Sequence, residues 1–218
     1  MQASKPKINR ATLVTAAVLG AVIAISGMHH GYFEILQGNT SSEYNIIQSI
    51  GPDHRNWSNG EEVFTLIPNY LITGIISVIT SVFIIVWSLR FLHTSFGPTI
   101  FLLLYIFLTL TGGGIVHLLF FMLVWLYSMR IRRKLSWRGR PPSGFTVSAL
   151  SASWIPMLTL TSVLFIAALE ITMFGIRGAS DQTIYATIIS LHLSSLLCLN
   201  LAFLAAISRD IRASTVIA

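Results

Sequence analysis

His29, His30, Glu34, His117, Glu170 and His192 are isolated ionisable residues in a strongly apolar sequence. Imidazole and carboxylate groups together can bind a divalent metal, relay protons or hold a polar head group. Spacing narrows these options. His30 and Glu34 stand one helical turn apart and share a helix face. His29 and His30 are neighbours, so on a helix they point about 100° apart and do not converge on one ion. The sequence has no HExxH and no ordered His/Asp pattern on one helix. It has no phosphate-binding loop, no GxSxG and no dinucleotide fingerprint. A haem held between His117 and His192 is conceivable, but no attachment motif accompanies those residues. Cys198 is the only cysteine, which excludes an intramolecular disulfide and any paired-cysteine metal or redox site. These residues name no cofactor.

Membrane helices must position them. Of 218 residues, 54% are hydrophobic and 10% charged, and the mean hydropathy is +0.74. A soluble domain carries about 25% charged residues, so too few charges remain to cover a water-facing surface. A run of about 20 apolar residues crosses a hydrocarbon core of about 30 Å as a helix. In lipid only helices and closed barrels satisfy their own backbone, and continuous rather than alternating apolar blocks argue against barrel strands. The expected fold class is all-α: a polytopic transmembrane helical bundle of five or six membrane segments, one domain over residues 1–218. The net charge of +6 does not point to nucleic acid, because the basic residues cluster beside hydrophobic ends, as in cytoplasmic loops.

The first span is expected from about Ala11 to Gly31. Lys5, Lys7 and Arg10 before Ala11–Ser26 imitate a secretory leader; we read the stretch as an uncleaved span. An acidic polar loop on the outer side follows, about 34–62, where Ile46, Ile47 and Ile50 predict a short amphipathic surface helix ended by Gly51-Pro52-Asp53. Two triplets, Asn39-Thr40-Ser41 and Asn56-Trp57-Ser58, fit a glycosylation pattern too common to carry weight. The second span is expected from about Val63 to Leu92, with Pro68 as a kink near its outer end. Further spans cover about Ala149 to Ile176 and Thr183 to Ile207. The block from Pro98 to Met129, interrupted by Thr111-Gly112-Gly113-Gly114, either crosses once or enters and returns with the glycines at its tip.

Charge favours the return. With a hairpin and a cytoplasmic N-terminus, every Lys and Arg except Arg55 and Arg177 lies inside, as the positive-inside bias requires. With a single crossing the basic residues split more evenly. Glycine suits a tight reversal because it accepts positive φ. Both termini are then cytoplasmic, the plasma membrane is the expected location, and Trp87, Trp125 and Trp154 fall near one interface. The basic loop, about 130–148, is expected to touch anionic lipid through Arg130–Arg140, with cytoplasmic docking as the rival reading. Gly27 and Gly31 form a GxxxG step, suited to close packing within the bundle or in a homo-oligomer.

On this plan Glu170 lies about 10 Å from the outer edge and His192 about 13 Å, on consecutive antiparallel helices. His117 follows the glycine tip, and His29, His30, Glu34, Glu61 and Glu62 sit at the outer ends of their spans. The expectation is an outer-facing polar chamber with His30, Glu34, His117, Glu170 and His192 as ligand-binding residues. Plainer roles compete. Glu170 and His192 can simply hydrogen-bond each other, and Glu61 and Glu62 can serve as helix N-terminal charge.

Two stretches carry a resemblance: His30-Gly31-Tyr32-Phe33-Glu34-Ile35-Leu36-Gln37-Gly38-Asn39, and Phe64-Thr65-Leu66-Ile67-Pro68-Asn69 through Gly97-Pro98-Thr99-Ile100-Phe101-Leu102-Leu103-Leu104. Over roughly residues 28–116 the chain resembles an uncharacterised group of bacterial integral membrane proteins. The resemblance implies a bacterial-type membrane protein; it implies no activity and transfers no site residue. The functional expectation is binding or movement of a small ligand or ion through the chamber. The alternatives are a membrane-embedded enzyme using Glu/His acid–base chemistry, and a structural or accessory subunit.

Overall fold

A computed structural model describes residues 8–42, 44–48, 62–114, 117–136 and 144–215. The described chain is mostly helical. Its helices are α1 (Arg10–Leu36), α2 (Tyr70–Arg90), α3 (Gly97–Leu110), α4 (Leu118–Ser128), α5 (Gly144–Ala152), α6 (Trp154–Phe174) and α7 (Asp181–Thr215), with two short strands, β1 (Ile46–Gln48) and β2 (Glu62–Phe64). Four of them, α1, α2, α6 and α7, are long and apolar enough to cross a membrane.

Alongside an apolar core of residues such as Phe101, Phe121 and Phe203, large apolar side chains also stand exposed on the helices. Phe83, Leu103, Phe107, Val163, Leu193 and Leu197 are exposed. The interior holds Thr73, Ser77, Thr80, Ser81 and Ser88, all on one face of α2. Lipid offers helices no hydrophobic drive to associate, so small residues that let backbones approach must hold them together. α1 supplies the matching face. A Cβ on Gly31 would lie 2.6 Å from the Gly74 carbonyl oxygen, and one on Gly74 would lie 2.5 Å from the Gly31 carbonyl oxygen. Gly27 meets Ser81, and Gly20 meets Ser88. The GxxxG step thus packs inside the bundle, against α2.

α3 runs alongside α1 in the same direction: Gly20 abuts Phe101, Gly27 abuts Leu108, and Glu34 abuts Gly112. The chain then reverses. Tyr105 stacks on Phe121 with centroids 3.7 Å apart, joining α3 to α4, and Arg132 beyond α4 reaches the His93 carbonyl before α3. Gly112 and Gly114 carry positive φ at this reversal, 95° and 85°; residues 115–116 lie outside the described set. The Pro98–Met129 block is therefore two short helices whose outer termini meet at one end of the bundle. At about 1.5 Å per residue they are about 21 and 17 Å long.

That same end gathers the other chain termini. Asn9 donates through Nδ2 to the carbonyls of Arg130 and Arg133, each at 2.8 Å. Asp210 on α7 accepts from the Ala11 and Thr12 amides at 3.0 and 2.9 Å and from the Thr12 hydroxyl at 2.8 Å. Trp87 donates to Gly97, Trp125 lies beside Arg132, and Trp154 lies under Arg209, so all three tryptophans share this level.

Several boundaries differ from expectation. α1 continues past Gly31 to Leu36 and stops where Gly38, φ 73°, closes its last turn through an amide bond to Ile35. Glu34 is therefore helical, not part of the polar loop. Ile46 and Ile47 belong to a strand: β1 pairs antiparallel with β2, placing Ile47 opposite Val63, both 1% exposed. Neighbouring β-branched residues satisfy either period over so short a run, and the partner strand decides. Ile50, Gly51-Pro52-Asp53, Asn56-Trp57-Ser58 and Glu61 lie outside the described residues. α2 begins at Tyr70, where the Asn69 side chain accepts from the Ile72 amide at 3.1 Å. This N-cap leaves Pro68 before the helix rather than as a kink within it. α6 is separated from α5 at Ser153, and α7 runs eight residues beyond the expected Ile207.

Candidate ligand-binding site

At the end opposite Asn9 the bundle is covered by backbone pairing. Leu66 donates to Leu110, Tyr70 donates to Thr40, and Thr65 bridges to Thr111. The Thr65 and Thr73 hydroxyls lie 3.3 Å apart, both fully buried. Thr73 in turn touches Gly112, whose Cα faces the Glu34 carboxylate; a Cβ there would sit 2.9 Å from Oε1.

Glu34 is the centre of this region. Its side chain is 0% exposed, and neither carboxylate oxygen has a hydrogen-bond partner among the described residues. One turn back, His30 is also 0% exposed, and its Nε2 lies against Gly114. The two glycines at positive φ thus serve two purposes: they turn the chain, and they bring its backbone onto Glu34 and His30, where a side chain has no room.

From His30 a row of imidazoles crosses the bundle. His30 and His117 have ring centroids 6.2 Å apart, and His117 and His192 are 6.1 Å apart. Phe165 packs edge-on against His117 at 5.2 Å, and Phe120 against His192 at 5.9 Å, so aromatic walls flank the row. His117 immediately precedes α4 and is 3% exposed; His192 on α7 is only half-buried. The row therefore runs from the core toward the α6–α7 flank. His192 Nδ1 lies 2.9 Å from the Ile188 carbonyl. A carbonyl only accepts, so Nδ1 carries the hydrogen and the neutral ring keeps its lone pair on Nε2. That nitrogen is buried without a hydrogen-bond partner among the described residues.

Of the five residues singled out from the sequence, His30, His117 and His192 form one row of rings, and Glu34 stands one helical turn from His30. Glu170 does not join them. Its carboxylate lies 3.9 Å from His29 Nε2 with 47% of its side chain exposed, and no hydrogen bond or ion pair links it to His192 among the described residues. Glu62 is exposed on β2. Sequence reasoning passed over Thr65, Thr73 and Thr111, which close the carboxylate end; threonine in an apolar span is too common to signal this. Among the described residues no three His, Cys, Asp or Glu side chains are placed to hold one metal ion.

Acceptor atoms without a hydrogen-bond partner among the described residues define what the arrangement can do. The Glu34 oxygens and His192 Nε2 are both acceptors, and both lie in surroundings where an unmet acceptor costs about 1–3 kcal/mol. A cation, or a small molecule rich in N–H or O–H groups, meets that chemistry; an anion does not. Searches against protein families, curated proteins and solved structures return no match to this chain.

Proposed function

We propose that this chain is an integral membrane protein that binds or moves a small cationic or hydrogen-bond-donating ligand. Its chamber is formed by His30, Glu34, His117 and His192. The observation that carries this reading is the fully buried Glu34 carboxylate with no hydrogen-bond partner among the described residues, beside a row of imidazoles. Acid and imidazole residues at membrane depth line substrate and proton pathways. Glu170 and His29 stand at the flank as a more exposed pair, where a ligand would first meet charge.

The topology belongs to the same proposal. The α3–α4 hairpin adds two short segments to the four long helices, giving six membrane segments. The end gathering Arg10, Arg90, Arg130–Arg133 and Arg209 faces the cytoplasm, with both chain termini, and the covered Glu34 end faces outward. A bacterial-type plasma membrane is the setting we infer.

The test is thermal unfolding of the purified protein in detergent, with Na⁺, K⁺, Mg²⁺, Zn²⁺, ammonium and small mono- and diamines added singly. A ligand present at about 100 times its Kd stabilises the folded state by about 2.7 kcal/mol. The expected result is that at least one of these stabilises the wild type, and that Glu34→Gln and His192→Phe remove the effect. If none separates the wild type from Glu34→Gln, the proposal fails.

A further inference from the structure

At the end of the bundle opposite Glu34, a cavity of about 440 Å³ opens between the α2–α3 link and the end of α4. Four hydroxyls line it, from Thr94, Ser95, Thr99 and Ser128, together with Arg132 and Arg133. Trp125 forms one wall. Its floor is apolar and fully buried, with Leu92 and Ile131 each 1% exposed. No acidic side chain lines it.

We propose that this notch binds the phosphate group of an anionic phospholipid. The inference rests on the membrane reading but not on the chamber around Glu34. Guanidinium groups pair with phosphate through parallel charge-assisted hydrogen bonds, and the Ser95 and Thr99 hydroxyls supply further donors, while those of Thr94 and Ser128 donate to the Phe91 and Trp125 carbonyls. Arg132 uses one nitrogen on the His93 carbonyl at 3.5 Å, which aims its side chain across the notch and leaves its other donors available. The choice of a lipid over a free anion comes from the floor and the level. Leu92 and Ile131 offer an apolar seat to glycerol and the first acyl carbons. Trp87, Trp125 and Trp154 share this end of the bundle, and tryptophan prefers the headgroup region. Directly above the notch α3 presents Leu103 and Phe107 outward, where acyl chains would run. The basic run after α4 alone would give only diffuse attraction to an anionic surface; the notch adds a defined seat that includes residues from the other side of the hairpin.

The experiment uses the full-length protein in nanodiscs containing brominated phosphatidylglycerol or brominated phosphatidylcholine in an unbrominated background. The chain has five tryptophans, so the part of the fluorescence quenching that Trp125→Phe removes reads occupancy beside Trp125. Two variants each remove two positive charges: Arg132→Gln/Arg133→Gln within the notch, and Arg130→Gln/Lys134→Gln outside it. All four side chains are exposed, so neither change disturbs the core. The first variant is expected to weaken phosphatidylglycerol quenching about 30-fold in apparent affinity, the equivalent of about 2 kcal/mol. With salt high enough to screen diffuse attraction, the second is expected to change it less than about threefold, with phosphatidylcholine giving weak quenching throughout. Equal losses in the two variants would reduce the effect to diffuse surface charge and overturn the proposal. Equal quenching by both lipids would overturn it too. Full displacement of the lipid by millimolar inorganic phosphate would assign the notch to a free anion instead, and the lipid proposal would fall.

Discussion

Replacing Glu34 by methionine should make the protein more stable and unable to respond to its ligand. Two carboxylate oxygens are enclosed by α1, Thr73 and Gly112 with no hydrogen-bond partner among the described residues. A buried polar group left unpaired costs about 1–3 kcal/mol. Methionine has nearly the same length, no polar demand and three soft torsions with which to fill an irregular space. Against this stands the tight approach of Gly112, which turns any excess volume into an overpacking cost of about 1 kcal/mol. The net expectation is a gain of about 1 kcal/mol. For a chain of this size that corresponds to a rise in Tm of about 2–4 °C. Thermal unfolding in a mild detergent, followed by intrinsic fluorescence and by loss of the monodisperse peak on gel filtration, reads it directly. A fall in stability of more than about 1 kcal/mol would mean that the carboxylate holds the reversal loop in place. The argument that its acceptors await a ligand would then be refuted.

Gly31→Ala should destabilise the fold by about 1–3 kcal/mol, since its Cβ would sit 2.6 Å from the Gly74 carbonyl oxygen; Gly144→Ala, with nothing within 4 Å, should be neutral or slightly stabilising in the same unfolding assay. Asp210→Ala removes three hydrogen bonds from the start of α1 and should cost about 1–2 kcal/mol; an unchanged midpoint would show that the α1–α7 tie carries no stability. Glu170→Gln should shift stability by less than about 1 kcal/mol, as expected for a half-exposed pair. It should also weaken ligand-dependent stabilisation far less than Glu34→Gln does; the reverse order would move the site to the α6 flank.

The helical class was legible because the apolar blocks are long and continuous, and four of the helices are long and apolar enough to cross a membrane. The reversal at Gly112–Gly114 was legible because charge and glycine chemistry agreed, and the Gly27–Gly31 step was legible because small residues are what helices in lipid have to pack with. Helix rotation was not. In a soluble helix the apolar stripe marks the inward face, but Val163 is exposed while Phe165 and Leu169 are buried, and both classes are aliphatic or aromatic. With no stripe to read, Glu170 was assigned inward on depth alone. Depth is fixed by counting residues; direction is fixed by packing. Glu34 shows the converse. It was placed at the outer end of a span that in fact continues past it, so an acid assigned to the interface proved to be the most buried carboxylate among the described residues.

One geometric fact joins the fold to the proposed chemistry. Gly112 and Gly114 take backbone angles closed to most residues, and the same two positions are where the reversal meets Glu34 and His30. An alternative reversal with side chains there would have to stand off the carboxylate, and water would reach it. The close approach instead keeps Glu34 dry and its oxygens unmet, which raises the affinity of any donor that arrives: an interaction gains strength when the competing water is excluded. On the proposed function, part of the free energy that the fold gives up by enclosing that acid is recovered on binding. Glu34→Met then reads the cost of enclosing the acid, and Glu34→Gln reads what the ligand gains from it.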